Sequence, residues 1–253
     1  YVGTIIGDSD SFVSAPIHSS VSGRVSRVAP HAHPTGREVL SVLIENDGEY
    51  RQDPQLTIPD SWNDMDGSKI RQAVRDAGMV GLGGAAFPTH VKLSPPQEKP
   101  IDVVVANGVE CEPFLTSDHR VMLENPREVI EGLLLAMEIV GCKKGIIGIE
   151  ANKPDAVKAM NEAGLPEGIT VEVLPLMYPQ GAEKQLIYAV TKREVPTGGL
   201  PMDIGVVVQN VGTLAAIHAA VRRGVPFIER VVTLGGSLPT GPGNYLLPLG
   251  TPL

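Results

Sequence analysis

Cysteine is nearly missing from this chain. Cys111 and Cys142 are its two thiols in 253 residues, and they form no CxxC pair. Two are too few for the four thiolates of an iron–sulfur cluster or a structural zinc site. So small a supply fits a reduced, cytoplasmic setting, although a single disulfide stays open. Aromatic side chains are scarce too, with one Trp, five Tyr and four Phe. That leaves no stacking platform for single-stranded nucleic acid. The net charge is -8 and no run of Lys and Arg stands out, so the basic patch that nucleic-acid binding needs is absent. No stretch reaches the ~18 uninterrupted apolar residues of a membrane helix, because Glu131 and Glu138 break the best candidate, Val129 to Val140. No secretory leader is visible. The chain opens on Tyr1 rather than Met, which points to a piece of a longer polypeptide.

Glycine and proline are plentiful, at 28 and 22 residues, so loops and close backbone approaches matter. Residues 1–50 read as short strands: Phe12-Val13, Val21, Val25, Val28 and Val39 to Ile44 alternate with polar residues, punctuated by Gly23, Pro30, Pro34 and Gly36. Ala15 to Val25 is similar to the folded-over hairpin of lipoyl- and biotinyl-type modules. Those modules carry their group on a lysine, and the first lysine here is Lys69, so the module serves docking or shape.

A polar linker is expected over 51–66, and an α/β pattern with a parallel sheet after it. Ser68 is the expected N-cap of a helix to Arg75, with Gly78 as its stop. Ile101 to Ala106, Gly145 to Ile149, Ile169 to Leu174 and Ile204 to Val208 read as strands. Asn125-Pro126 opens a helix with its apolar stripe at Ile130, Leu133, Leu134, Met137 and Val140. Further helices are read over Asp155 to Ala163, Ala182 to Val190 and Val211 to Arg223. From Val231 the chain returns to short strands.

Four segments carry candidate chemistry. Gly81, Gly83 and Gly84 lie in Gly81-Leu82-Gly83-Gly84-Ala85-Ala86-Phe87-Pro88, with Lys92 just beyond. Closely spaced glycines let backbone N–H groups approach a phosphate, and the lysine adds charge. The segment follows a helix and has Ala86 where a dinucleotide fingerprint has its last glycine, so a plain turn stays equally open. The other three sit where strands end, the usual place for ligands in open α/β sheets. Asn107, Glu110 and Glu112 follow the first strand, and could equally form a solvated acidic loop. Tyr178, Gly181 and Glu183 precede a helix. Gln209 and Asn210 precede another, whose N-cap Asn210 could simply be. Cys111 between two carboxylates would have a raised pKa, which argues against a nucleophile.

Taken in order, these segments resemble the FMN- and NADH-binding fold of the flavin subunit of respiratory complex I. They resemble the C subunit of the Rnf electron-transport complex more closely, over roughly residues 65–235. The lipoyl-like segment favours the latter. The resemblance implies a lipoyl-like barrel-sandwich module over 1–50 and a Rossmann-like FMN/NADH domain over 67–228. The start of a β-grasp-like module would follow over 229–253. It implies FMN held by Gly81, Gly83, Gly84 and Lys92 at its phosphate and ribityl end. Asn107, Glu110 and Glu112 would bind the flavin, Glu112 also near the nicotinamide. Tyr178, Gly181 and Glu183 would line the same pocket, Gln209 and Asn210 would reach the phosphate, and Phe87 would stack on the dinucleotide. No side chain need act as acid or base, since the flavin carries the chemistry.

It further implies NADH as hydride donor, with 4Fe-4S clusters in a region beyond this chain. The other subunits of a membrane complex would be its partners, and its place peripheral, on the cytoplasmic face of the bacterial inner membrane. Departures from the complex I pattern are Leu82 for an arginine, Ala182 for an acidic residue, and no aromatics from Pro196 to Pro201; they bear on NADH more than on flavin. A cobalamin reductase of the same family and a non-catalytic scaffold are the alternatives. His31 and His33 read as surface residues without a third metal ligand. His90 and His119 read as ordinary polar residues, and Asp118-His119-Arg120 as an ion-pair network.

Overall fold

The computed structural model describes residues 1–33, 35–56, 65–237 and 241–252. Pro34, residues 57–64 of the expected linker and residues 238–240 and 253 of the expected last module lie outside the described residues. The N-terminal part pairs β1 (Ile5–Gly7) with β2 (Ile17–His18), and β3 (Gly23–Ala32) with β4 (Glu38–Asn46), both antiparallel. Phe12 and Val13, expected in a strand, lie instead in an exposed bend, and Val21 precedes β3. Polar neighbours Ser9, Ser11 and Ser14 bond to one another's backbone there and compete with pairing.

The segment read as a linker begins inside this module. Val2 N–H donates to Arg51 O and Asp53 N–H to Val2 O, each at 2.9 Å, and Thr4 Oγ1 donates to Asp53. A long main helix-and-strand region follows. Helix α1 (Gly67–Asp76) is capped by Asp66, whose carboxylate accepts from Lys69 N–H, and not by Ser68, which lies within its first turn. Gly78 at its end has φ +71, and a Cβ there would stand 2.2 Å from Pro16 O, so only glycine lets the N-terminal segment this close. His18 bridges the two parts, with its ring nitrogens 2.7 Å from Gly3 O and 2.8 Å from Asp76 O.

After the short α2 (Thr89–Lys92) come β5 (Val103–Gly108), α3 (Ser117–Glu124), α4 (Pro126–Val140), β6 (Gly145–Glu150), α5 (Pro154–Glu162), β7 (Ile169–Leu174), α6 (Glu183–Thr191), β8 (Val206–Asn210) and α7 (Val211–Arg223). The strands form one parallel sheet in the order β7-β6-β5-β8. Alternation sorts their side chains. Val104, Ala106, Ile147, Ile149 and Val207 pack into the layer holding α1, α4, α5 and α7. Val103, Val105, Ile146, Val206 and Val208 meet α6 through Leu186 and Ile187. Burial on both faces explains the nearly continuous Val and Ile of β5, β6 and β8, whereas the edge strand β7 leaves Thr170, Glu172 and Val173 exposed. Helices α4 and α7 touch at backbone distance, since a Cβ on Gly132 would lie 2.0 Å from Leu214 O.

Helix α3 has no counterpart among the expected helices. Only Val121 and Met122 of it are buried, and its local cap residue Thr116 makes no side-chain cap bond; the caps come from Glu110, outside the helix. Ile101 leads into β5 without belonging to it, and Ile204 falls in a 3-10 turn over Pro201–Ile204. At the end, β9 (Glu229–Leu234) and β10 (Gly243–Pro248) form an antiparallel hairpin. It stands where the start of a β-grasp-like module is expected. Among the described residues no helix is long and apolar enough to cross a membrane.

Candidate flavin site at the switch point of the sheet

From β5 the chain runs through β6 to β7 on one side, then crosses to β8 on the other. The carboxyl ends of β5 and β8 therefore form the switch point at which open α/β sheets hold ligands. Asn107 and Asn210 are register partners there. All four segments meet around them. Asn107 Nδ2 donates to Gly181 O at 3.0 Å, and its Oδ1 accepts from Val109 N–H at 3.0 Å. Gly181 is fixed by closeness, because a Cβ on it would stand 2.8 Å from Val109 O.

The glycine loop lies on the start of α7. Leu82 N–H donates to Thr213 Oγ1 at 2.9 Å, and the loop closes by Gly81 N–H to Phe87 O at 2.9 Å. It is thus both a turn and a loop seated on a helix N-terminus. Lys92 reaches Glu183 across the site, Nζ to Oε1 at 2.5 Å. Both are partly exposed, so the pair is worth at most ~1 kcal/mol and yields to a better partner. Asn210 is the N-cap of α7: its Oδ1 accepts from Gly212 N–H and Thr213 N–H at 2.8 and 3.2 Å. Its Nδ2 donates to Asp118 Oδ2 at 2.7 Å.

Glu110, expected on the flavin, is buried with its carboxylate committed to α3. Oε1 accepts from Ser117 Oγ and Asp118 N–H and Oε2 from His119 N–H, at 3.1, 2.9 and 3.2 Å. Glu112 is exposed beside Cys111. Tyr178 and Phe87 are exposed as well. Gln209 is buried at 2% exposure, and its Nε2 has no partner among the described residues.

A cleft of about 450 Å³ opens over the ends of β5 and β6. Glu110, Glu112, Phe114, His119, Lys153 and Leu176 are among its lining residues. Phe114, which no sequence motif singles out, is 92% exposed and sits at φ +70. Beneath the cleft Lys153 Nζ donates to Glu150 Oε2 at 2.7 Å and to Glu110 O at 3.4 Å, all of it buried. A charge of each sign flanking the end of an apolar strand is the sequence signal for that pair.

Asp118, His119 and Arg120 do not form one network. Successive helix residues point about 100° apart, and each finds its own partner: Asn210, Asp155 and Glu124. Burial, reinforced by the Glu110 carboxylate, pushes the Asp118 carboxyl up to about 7, against the Asn210 bond and the positive Arg230 and Lys153. Cys111 is raised chiefly by burial and next by Glu112 and Glu150, with Gly181 N–H opposing. Cys111 and Cys142 are free. His31 and His33 are exposed on the β3–β4 hairpin. His90 is buried and packs edge-on to Phe12. Among the described residues no cluster of His, Cys, Asp and Glu could hold a metal.

The residues present fit a flavin mononucleotide. Glycines that packing demands, such as Gly132 and Gly181, have backbone against their missing Cβ. Those of the loop do not: Gly84, at φ +113, has nothing within 4 Å, and Gly83 has only Asn210 Cβ at 3.7 Å. Open space over bare backbone, a nearby lysine and an unpartnered buried amide donor suit a phosphate-bearing ligand.

Comparison with known proteins agrees. Residues 74–219 match the family model of the Nuo51 FMN-binding domain, and residues 1–49 that of the RnfC barrel sandwich hybrid domain. The C subunit of the proton-translocating ferredoxin:NAD(+) oxidoreductase complex of Clostridium ljungdahlii is 47% identical over 251 residues, 98% of this chain and 54% of the relative. The C subunit of the Na(+)-translocating complex of Acetobacterium woodii is 47% identical over 253 residues, 100% of this chain and 57% of the relative. The chain thus spans about half the length of these relatives. A crystal structure of an NAD+-reducing [NiFe]-hydrogenase superposes with a TM-score of 0.65 at 27% identity, over 77% of this chain and 38% of that one. The chain therefore belongs to the Nuo51 FMN-binding family, and within it to the RnfC line of the Rnf complex.

Proposed function

We propose that this chain holds FMN at the switch point between β5 and β8 and presents it to NADH, as part of a membrane-associated oxidoreductase complex. The observation that carries the reading is the convergence of four separated segments on one point of the sheet, with the glycine loop left open. When bound, FMN supplies hydride acceptance from reduced nicotinamide and release of single electrons towards 4Fe-4S clusters carried outside these residues.

The chain's own residues bind, orient and exclude water. The backbone of Gly81, Gly83 and Gly84, with Lys92 released from Glu183, holds the phosphate end, joined by Gln209 and Asn210. Asn107 and Gly181 hold each other and set the depth of the flavin pocket. Glu110 contributes indirectly, by fixing the loop that carries Glu112. The cleft over β5 and β6 receives the nicotinamide nucleotide. There Phe114 offers an aromatic face that the segment from Pro196 to Pro201 lacks, and Glu112 lines the same cleft. Phe87, at the closure of the glycine loop, and Tyr178, ahead of Gly181, are exposed rings left to stack on the bound nucleotide. The N-terminal module and the β9–β10 hairpin are docking elements for other subunits, on the cytoplasmic face of the bacterial inner membrane.

Titration of the purified chain with FMN, followed by flavin fluorescence, tests the reading. Saturable one-to-one binding is expected, weakened by Lys92→Ala and by Glu112→Gln. A folded chain that leaves the flavin signal unchanged would overturn it.

A further inference from the structure

Asp118 stands where the glycine loop meets α7, and one of its oxygens has no hydrogen-bond partner among the described residues. Oδ2 accepts from Asn210 Nδ2 at 2.7 Å. The Asn210 amide is locked in that orientation, because its Oδ1 already takes Gly212 N–H and Thr213 N–H. Oδ1 of Asp118 lies 3.7 Å from the point where a Cβ on Gly212 would stand, and Leu82 Cδ1 of the glycine loop lies 3.2 Å from that point. Gln209, next to Asn210 in the chain, keeps a buried amide nitrogen without a partner among the described residues.

An ionised carboxylate only accepts, whereas the acid has one O–H to give. Next to a phosphate the ionised form repels and the acid form binds. We propose that Asp118 is a further phosphate-binding residue of this site, acting in its acid form: Oδ1–H donates to a phosphate oxygen of FMN, and binding above neutrality takes up one proton from solvent. The inference rests on the flavin reading above.

The surroundings of Asp118 are mixed. Glu110 faces it from the loop after β5, Lys153 from the start of α5 and Arg230 from β9, while α7 offers only the neutral Asn210. His119 on its own helix is tied to Asp155. The charges at the start of α4 lie at the far end of α3. With its carboxyl near 7, the group changes form within the ordinary working range of pH.

The test uses the full chain, with FMN and riboflavin as probes, at pH 6 and pH 8. Through this group FMN binding should weaken about tenfold from pH 6 to pH 8. In Asp118→Asn, which keeps a donor at every pH, that part of the slope should vanish and FMN should bind more tightly than to the parent at pH 8. The phosphate's own ionisation, near 6, is common to both chains and cancels in the comparison. Riboflavin, without a phosphate, should show no such slope. Calorimetry of the parent in buffers of different ionisation enthalpy should find uptake close to one proton at pH 8, and this reading stands even if the variant does not fold. Equal pH slopes for FMN in parent and variant, or no proton uptake, would overturn the role of Asp118 alone. Failure of both FMN and riboflavin to bind at either pH would overturn the flavin reading and this inference with it.

Discussion

The parallel sheet and the β3–β4 hairpin differ in what surrounds them. Every residue of β6 is buried, and β5 and β8 are buried except at single positions near their ends. In β3 nine of ten residues are exposed, Val25 and Val28 among them. The sheet has a helix layer on each face, so its position in the chain and its side chains are fixed by packing. The hairpin holds its register mainly through its own backbone bonds, from Gly23 opposite Asn46 to Ala32 opposite Glu38. Substitutions should therefore cost most where α4, α7 and the sheet interlock and least on the hairpin.

The largest expected effect is at Gly132. A side chain there meets the Leu214 carbonyl 2.0 Å away, and backbone cannot swing aside as a side-chain tip can. Gly132→Val should cost about 3 kcal/mol or more, read as a lower midpoint in urea. An unchanged midpoint would show that α4 and α7 do not pack as closely as described.

Beside that region Asp118 is the exception, a half-buried group whose loss of water opposes stability. Its carboxyl lies at about 7 in the folded chain against about 3.9 in the unfolded one. Below pH ~4 both states hold the proton. From there to about 7 the unfolded chain ionises first and stability drains away, after which the loss is complete. Asp118→Asn should match the parent at pH 4 and exceed it by a few kcal/mol at pH 8. Denaturation curves at the two values of pH decide it, and a gap that fails to widen with pH would remove the premise.

Asn210 ranks next. Asn210→Ala removes the cap from α7 and the bond to Asp118, and should cost about 1–2 kcal/mol. Because α7 carries the loop through Leu82 and Thr213, FMN affinity should fall with it. A loss of stability with flavin affinity intact would separate the helix cap from the phosphate end of the site.

These cases also mark what can be read from sequence. The buried parallel strands β5, β6 and β8 announce themselves as runs of Val and Ile, and even the half-exposed edge strand β7 runs over the residues its pattern marks, as does α7. Pro126 marks the start of α4, and the apolar stripe read from it ends at Val140, the helix's last residue before Gly141 turns into the left-handed region. The strand-end motifs are legible because their order is distinctive, yet their mutual contacts are not. Lys92 to Glu183 and Leu82 to Thr213 join residues 91 and 131 positions apart, and nothing local encodes such pairs. Helix α3 is hidden for the same reason, its cap coming from Glu110, and the role of Asp118 is hidden with it. Phe114 looks like any loop aromatic until the ends of β5 and β6 give it a cleft.

The smallest expected effect falls on the hairpin. Leu40 is 75% exposed, and replacing such a residue loses little burial, so Leu40→Ser should stay within about 0.5 kcal/mol. The paired backbone of β3 and β4 is untouched by the change, and register should hold. A cost several times larger in this same chain would mean that Leu40 is covered in solution by a second copy. Repeating the measurement at tenfold lower protein concentration separates the two cases, because a contact between copies weakens on dilution and one within the chain does not. The difference between sheet and hairpin would then lie in what covers each, rather than in how each is built.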